Sequence, residues 1–72
     1  MTRRMQEERE RQGMSRAALA RKAEMSAGTV GQIESRYIGT PYAVQLDKLA
    51  RALDWKGDPY ELMEDVTDHA RH

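Results

Sequence analysis

Few side chains in this 72-residue sequence could together catalyse a reaction or hold a metal ion. The two histidines, His69 and His72, lie close to the end of the chain without further ligands beside them, so we expect no metal site. The neighbouring acids Glu64 and Asp65 have no general-acid partner nearby in the sequence, and no nucleophile stands near a histidine. The sequence therefore predicts neither an enzyme nor a bound cofactor, and it offers no small-molecule substrate site.

The stretch MSAGTVGQIE, from Met25 to Glu34, carries small polar side chains at the start of a predicted helix. Ser26 is a favourable N-cap residue. Gly28 and Gly31, however, each cost a helix interior about 1 kcal/mol relative to alanine. Two explanations stay open: the helix backbone approaches a ligand closely at these positions, or the glycines serve tight helix packing or are merely tolerated.

Size and composition indicate one small soluble domain. Seventy-two residues leave no room for a second core, and the absence of cysteine suits a reducing cytoplasmic setting. No apolar run approaches the roughly 18 residues of a membrane span. The net charge of zero conceals a split, because residues 1–36 carry eight bases and five acids whereas residues 37–72 carry four bases and seven acids. This split predicts either a basic face for a polyanion with an acidic end held away from it, or ordinary solvated helix surfaces.

Apolar spacing and helix punctuation predict five helical segments and no strand, in one domain over residues 1–66. The segments cover residues 2–12, about 15–22 and about 26–35, then open at Thr40-Pro41 and at Asp58-Pro59. Leu46, Leu49, Ala50 and Leu53 give the fourth segment the clearest amphipathic pattern. Residues 67–72 are predicted to form a flexible tail. The expected fold is a compact all-α five-helix bundle.

The second and third segments form a recognisable unit. Only Ala23-Glu24-Met25 separates them, which is too short for the two helices to run antiparallel. Two short helices joined in this way are typical of a helix-turn-helix, here over about residues 15–35.

Specific residue types at spaced positions add to this geometry. They are Gly13-Met14-Ser15, Leu19-Ala20, Ala23, Met25-Ser26, Thr29-Val30, Ile33-Glu34, Leu49-Ala50 and Ala52-Leu53. Through them the chain, from Met5 to about Met63, resembles the Cro and phage-repressor family of helix-turn-helix DNA-binding domains. The resemblance implies a lambda-repressor-like fold and a sequence-specific regulator of transcription that binds double-stranded DNA, most simply a phage or bacterial repressor in the cytoplasm.

The resemblance also implies which residues meet the DNA. The start of the third helix would face the major groove through Ser26, Ala27, Gly28, Thr29 and Gln32. Gln32 could then bond an adenine edge, and Ala27 and the Thr29 methyl group could contact a thymine methyl group. Arg16 would hold the DNA backbone, and Arg36 and Tyr37 would contact the backbone or the minor groove.

One internal ion pair and two departures accompany the resemblance. Arg9 matches a position that commonly pairs with the acid of the recognition helix, here Glu34, and a partly buried acid at the core edge needs such a partner. Glu24 stands where the family usually has glycine, so either Glu24 is strained or the turn is built differently. Glu8 stands where an apolar residue is usual, which predicts a looser first helix.

A second class of function remains open. The chain could keep this fold as a protein-interaction module, or act as the antitoxin of a toxin pair. The basic first half and the small polar helix start favour DNA, whereas overall neutrality favours protein interaction. A homodimer, or a further domain of a longer repressor, is compatible with either reading.

Overall fold

A computed structural model describes residues 2–66, which form four α-helices, one 3₁₀ helix and a small sheet. The elements in chain order are β1 (Thr2–Arg3), α1 (Arg4–Arg11), α2 (Arg16–Ala23), α3 (Ala27–Glu34), α4 (Ala43–Ala52), the 3₁₀ helix (Pro59–Met63) and β2 (Asp65–Val66). None of the helices in this range is both long and apolar enough to cross a membrane. The predicted flexible tail at 67–72 lies outside the described residues.

The prediction of an all-α five-helix bundle without strands is wrong. Residues 2 and 3, predicted to be helical, form β1, which pairs antiparallel with β2 so that Thr2 faces Val66 and Arg3 faces Asp65. The fifth segment is a five-residue 3₁₀ helix, and it ends at Met63 because Glu64 has an extended backbone and leads into β2. The Arg4 amide donates to the Glu64 carbonyl at 2.8 Å, so the sheet joins the two ends of the domain.

The core forms where the apolar stripes of the helices meet. Its fully buried large side chains are Met5, Leu19, Val30, Ile33, Leu46, Leu49, Leu53 and Leu62. The amphipathic pattern predicted for the fourth segment is confirmed, since its three leucines and Ala50 are all buried. This helix begins later than predicted, at Ala43, because Pro41 and Tyr42 keep the chain extended and the Tyr42 amide donates to the Gln45 side chain at 3.1 Å.

Each of the four α-helices is followed by a residue with positive φ. These residues are Gly13, Glu24, Arg36 and Asp54, with φ between 55° and 74°. After α2, the Met25 amide donates to the Ala20 carbonyl at 2.9 Å and the Glu24 amide to the Arg21 carbonyl at 3.3 Å. This pair of bonds is the Schellman arrangement, which satisfies carbonyls left open at a helix end. Of the two explanations offered for Glu24, the structure shows the strained one, with φ 59° and ψ 48°.

Arg9 and Glu34 lie against each other between α1 and α3. The Arg9 Nε donates to Glu34 at 2.8 Å and a terminal nitrogen donates at 3.1 Å, while the other terminal nitrogen bonds the Met14 carbonyl at 2.8 Å. The Glu34 side chain is fully buried. A buried carboxylate is tolerated only with such partners, so this contact fixes the end of α3 against α1.

Replacing Arg9 should destabilise the fold, because Glu34 is then a buried acid with fewer partners. We expect Arg9→Met to lower the free energy of unfolding by about 1–4 kcal/mol, because Glu34 loses its bidentate partner. The double variant Arg9→Met/Glu34→Leu should recover much of that loss. Arg51→Met is the control, because its pair with Asp47 is solvent-exposed and contributes less than about 1 kcal/mol. Denaturant unfolding of the four proteins measures this, and equal stability of Arg9→Met and wild type would contradict it.

The left-handed turn at Glu24 gives a second stability prediction. Glu24→Gly should raise the free energy of unfolding by up to about 1 kcal/mol, because glycine adopts this conformation without a Cβ penalty. Glu24→Ala is the matched control. Alanine removes the carboxylate but keeps Cβ, so it should not gain the stability that glycine gains from relieving the strain. If thermal unfolding shows the same change for both variants, backbone strain at residue 24 is not its source.

Candidate nucleic-acid interface

Helices α2 and α3 pack closely because small residues stand where they meet. Ala20 and Ala23 on α2 are buried together with Val30 and Ile33 on α3. Both helices begin at a serine whose hydroxyl accepts from the amide three residues on: Ser15 from Ala18 at 3.0 Å, and Ser26 from Thr29 at 3.1 Å. The two short helices are thus each capped, and together they form the helix-turn-helix unit expected from the sequence.

The start of α3 leaves a smooth, exposed face. Ala27, Gly28 and Gln32 are exposed, and Thr29 is half-buried. Gln32 is the only long side chain among them. The Ser26 hydroxyl is already occupied, because it also shares a 2.8 Å hydrogen bond with the Thr29 hydroxyl. It therefore caps the helix in the free protein, and it meets a phosphate only by sharing this hydrogen bonding.

Neither glycine of α3 is required by packing within the domain. A Cβ at residue 28 would come no closer than 3.9 Å to the Ser26 Oγ, and one at residue 31 would lie 3.9 Å from the Arg16 Cδ. Both distances are ordinary van der Waals contacts. The tight-packing explanation therefore fails for both positions, and what remains is close approach of a ligand or simple tolerance.

Arg16 occupies the edge of this face rather than open solvent. Its Nε donates to the Glu34 carboxylate at 2.9 Å, although half of its side chain is exposed. Glu34 thus joins all three helices of the site: Arg9 from α1, Arg16 from α2 and its own helix α3. Within residues 2–66, the two terminal nitrogens of Arg16 make no hydrogen bond and remain available as donors.

The loop after α3 is held by residues of the terminal sheet. Arg3 of β1 is buried, and its guanidinium donates to the Gly39 carbonyl at 2.6 Å and to the Ile38 carbonyl at 3.5 Å. Burial, and then the positive charge of Arg36, lowers the pKa of Arg3. Arg36 pairs with Asp65 of β2 and is half-exposed.

Tyr37 lies in the same loop and is 82% exposed. Of the two residues expected beyond the recognition helix, Tyr37 is therefore open to a partner, while Arg36 already has an acidic one.

The charge split of the sequence partly cancels in three dimensions. Arg4 and Arg36, from the basic half, pair with Glu64 and Asp65 from the acidic half. The acidic end is therefore not held away from the basic helices. Positive charge at the candidate interface comes instead from individual groups such as Arg16.

Two contacts of the site escaped the sequence analysis. The bond between Arg16 and Glu34 joins residues 18 positions apart on different helices, and no spacing rule points to it. The hydrogen bond from Arg3 to the Gly39 carbonyl, in the loop after α3, depends on β1, whose residues were predicted to be helical. Glu8, the residue expected to loosen the first helix, has a buried carboxylate that is bonded by Arg11 at 2.6 Å.

No set of three metal-ligating residues occurs within residues 2–66. The predicted absence of a metal site at His69 and His72 concerns residues outside the described range.

Comparison with known proteins supports the geometry. A family model described as a helix-turn-helix domain matches residues 1–63, and it confirms the resemblance to helix-turn-helix DNA-binding domains. Neither a curated protein nor a solved structure matches the chain significantly. The match spans most of the chain and includes α2, α3 and the turn between them. The chain belongs to the helix-turn-helix domain family.

Proposed function

We propose that this protein is a sequence-specific regulator of transcription that binds double-stranded DNA and represses by occupying an operator. The start of α3 enters the major groove in this proposal, with Gln32 reading a base edge and Tyr37 near the backbone. The observation that carries it is the smooth face of α3, which has two glycines that no internal packing requires. Such a face lets the helix backbone come close to base edges.

The anchoring of α3 supports the same proposal. Base readout needs side chains held in place, and an eight-residue helix with two glycines is not stable by itself. Glu34 and the buried Val30 and Ile33 fix α3 against the other helices. Blocking polymerase at an operator requires no catalysis, so the domain needs no active site. The setting is the cytoplasm of a prokaryotic or phage-infected cell, with binding as a homodimer or as part of a longer repressor.

A protein-interaction module, or an antitoxin that also binds protein, is the second candidate. The observation in its favour is that several large apolar or aromatic side chains are exposed, namely Tyr42 and Val44 at the start of α4 and Tyr60 in the 3₁₀ helix. Tyr42 also borders a shallow groove of about 300 Å³ with Ile38 and Pro41. Such a surface can bind protein whether or not the domain binds DNA.

Selection of bound duplexes from a random pool separates the two functions. We expect a recovered motif, whose symmetry reports a monomer or a dimer. Log affinity for that motif should fall against log salt with a slope of about −3 to −6, because a few basic groups displace counterions from phosphates. A scrambled duplex of equal length is the control for specific binding. Failure to enrich any motif, or binding that is independent of salt, would favour the interaction module.

Gly28→Ala tests the close approach of α3. The free protein has space for the added methyl group, and alanine gains up to about 1 kcal/mol of helix propensity, so stability should stay level or rise. Specific binding should weaken by about 1–3 kcal/mol, the cost of a mismatched base pair, because the methyl group meets the DNA.

Gln32→Ala is the companion variant. It should leave folding nearly unchanged and relax the preference at one base pair by about 1–3 kcal/mol. Thermal unfolding and titration of the selected site measure both effects. A Gly28→Ala protein that unfolds at a lower temperature yet binds normally once folded would contradict the close approach to DNA and would assign Gly28 a role in packing.

A further inference from the structure

The side chain of Arg16 is oriented by α3 although it belongs to α2. Its Cδ lies 3.9 Å from the position that a Cβ on residue 31 would take, so its aliphatic stem passes over Gly31. Its Nε then reaches the Glu34 carboxylate, one turn further along the same helix, at 2.9 Å. The guanidinium is planar, so a bond at Nε that is directed to a buried acceptor fixes the direction of the two terminal nitrogens.

The contact with Glu34 does not neutralise the positive charge of Arg16. Arg9 already makes a bidentate bond to Glu34 and is itself buried, so it neutralises the carboxylate. Arg9 also lies 3.6 Å from the exposed Glu10 carboxylate, so two arginines and two acids meet here, and the exposed positive group among them is the Arg16 guanidinium. A positive fork of donors therefore stands at the edge of the exposed face of α3.

The recognition helix itself lacks a residue that suits guanine. Its sequence, AGTVGQIE, contains no lysine or arginine, and Gln32 matches adenine better. Guanine presents two acceptors in the major groove, N7 and O6, and arginine meets both with a coplanar pair of donors. Arginine meets a phosphate with the same planar fork, but only at a base edge does the orientation set by Glu34 give sequence discrimination.

We propose that Arg16 is a specificity-determining residue that reads a guanine through its terminal nitrogens, while Glu34 holds its Nε. Because the side chain is ordered before binding, it loses less conformational freedom on meeting the base. This inference rests on the proposed function, since it assigns a base to the same interface.

The experiment uses the full chain and a duplex recovered by selection. Each guanine is replaced in turn by 7-deazaguanine, which lacks the N7 acceptor, and affinity is measured for wild type and Arg16→Gln. We expect one guanine at which the replacement weakens wild type about tenfold and leaves Arg16→Gln unaffected. Thermal unfolding of the variant checks its fold, which Arg9 should preserve by keeping Glu34 paired.

Arg16→Lys is the matched control for charge. Lysine keeps the positive charge, so the salt slope should not change, but its single nitrogen cannot hold Glu34 and present a fork to guanine at once. Discrimination at the same base pair should therefore fall. This variant also keeps the proposal testable if Arg16→Gln does not fold.

Two results would overturn the inference while leaving operator binding intact. One is a selected motif without guanine. The other is an Arg16→Gln protein that binds all sequences more weakly to the same extent, with a salt slope reduced by about one and every 7-deazaguanine effect retained, as a phosphate contact predicts. Failure of wild type to enrich any duplex would instead overturn the proposed function and this inference together.

Discussion

The buried carboxylate of Glu34 is the interaction on which the candidate interface depends. It sits at the end of α3 with no solvent exposure and accepts hydrogen bonds from Arg9 of α1 and Arg16 of α2. Arg9 compensates its desolvation with two hydrogen bonds and Arg16 adds a third, so three helices meet at one point. These hydrogen bonds add directional contacts to the apolar packing of Val30 and Ile33. A short helix weakened by two glycines is thus held in a defined position, with its capped start left exposed.

The ends of the helices impose the second constraint. Each of the four α-helices in the described residues ends in a turn through a residue with positive φ, and only three or four residues separate α1 from α2 and α2 from α3. Glycine at residue 13 is typical of such a turn and is visible in the sequence. For Glu24 the sequence left two alternatives open, a strained residue or a turn that is built differently. Arg36 and Asp54 carried no signal, because the left-handed conformation there is set by the helix-end hydrogen bonds and the packing that follows. Side-chain type alone does not encode such a turn.

Much of the helical structure was predictable, and the reasons for the failures are physical. Periodic apolar residues identified α4 because ten residues give nearly three turns of pattern. Strands of two residues, by contrast, show no alternation, and β1 pairs with β2 across almost the whole chain. The residues of the interface could be proposed from a spaced resemblance. The bond between Arg16 and Glu34 could not, because it depends on how two helices are placed in space.

The neutrality of the chain also takes on a different meaning in three dimensions. Arg4 and Arg36 are paired with Glu64 and Asp65, so their charges are partly neutralised within the domain. Binding that relies on close fit suits such a protein better than binding that relies on charge. The smooth start of α3 permits that fit, and a guanidinium fixed by Glu34 adds one positive group at its edge. A domain of this kind should gain its selectivity from a few short, oriented contacts, because contacts to phosphates position the protein without reading the base sequence.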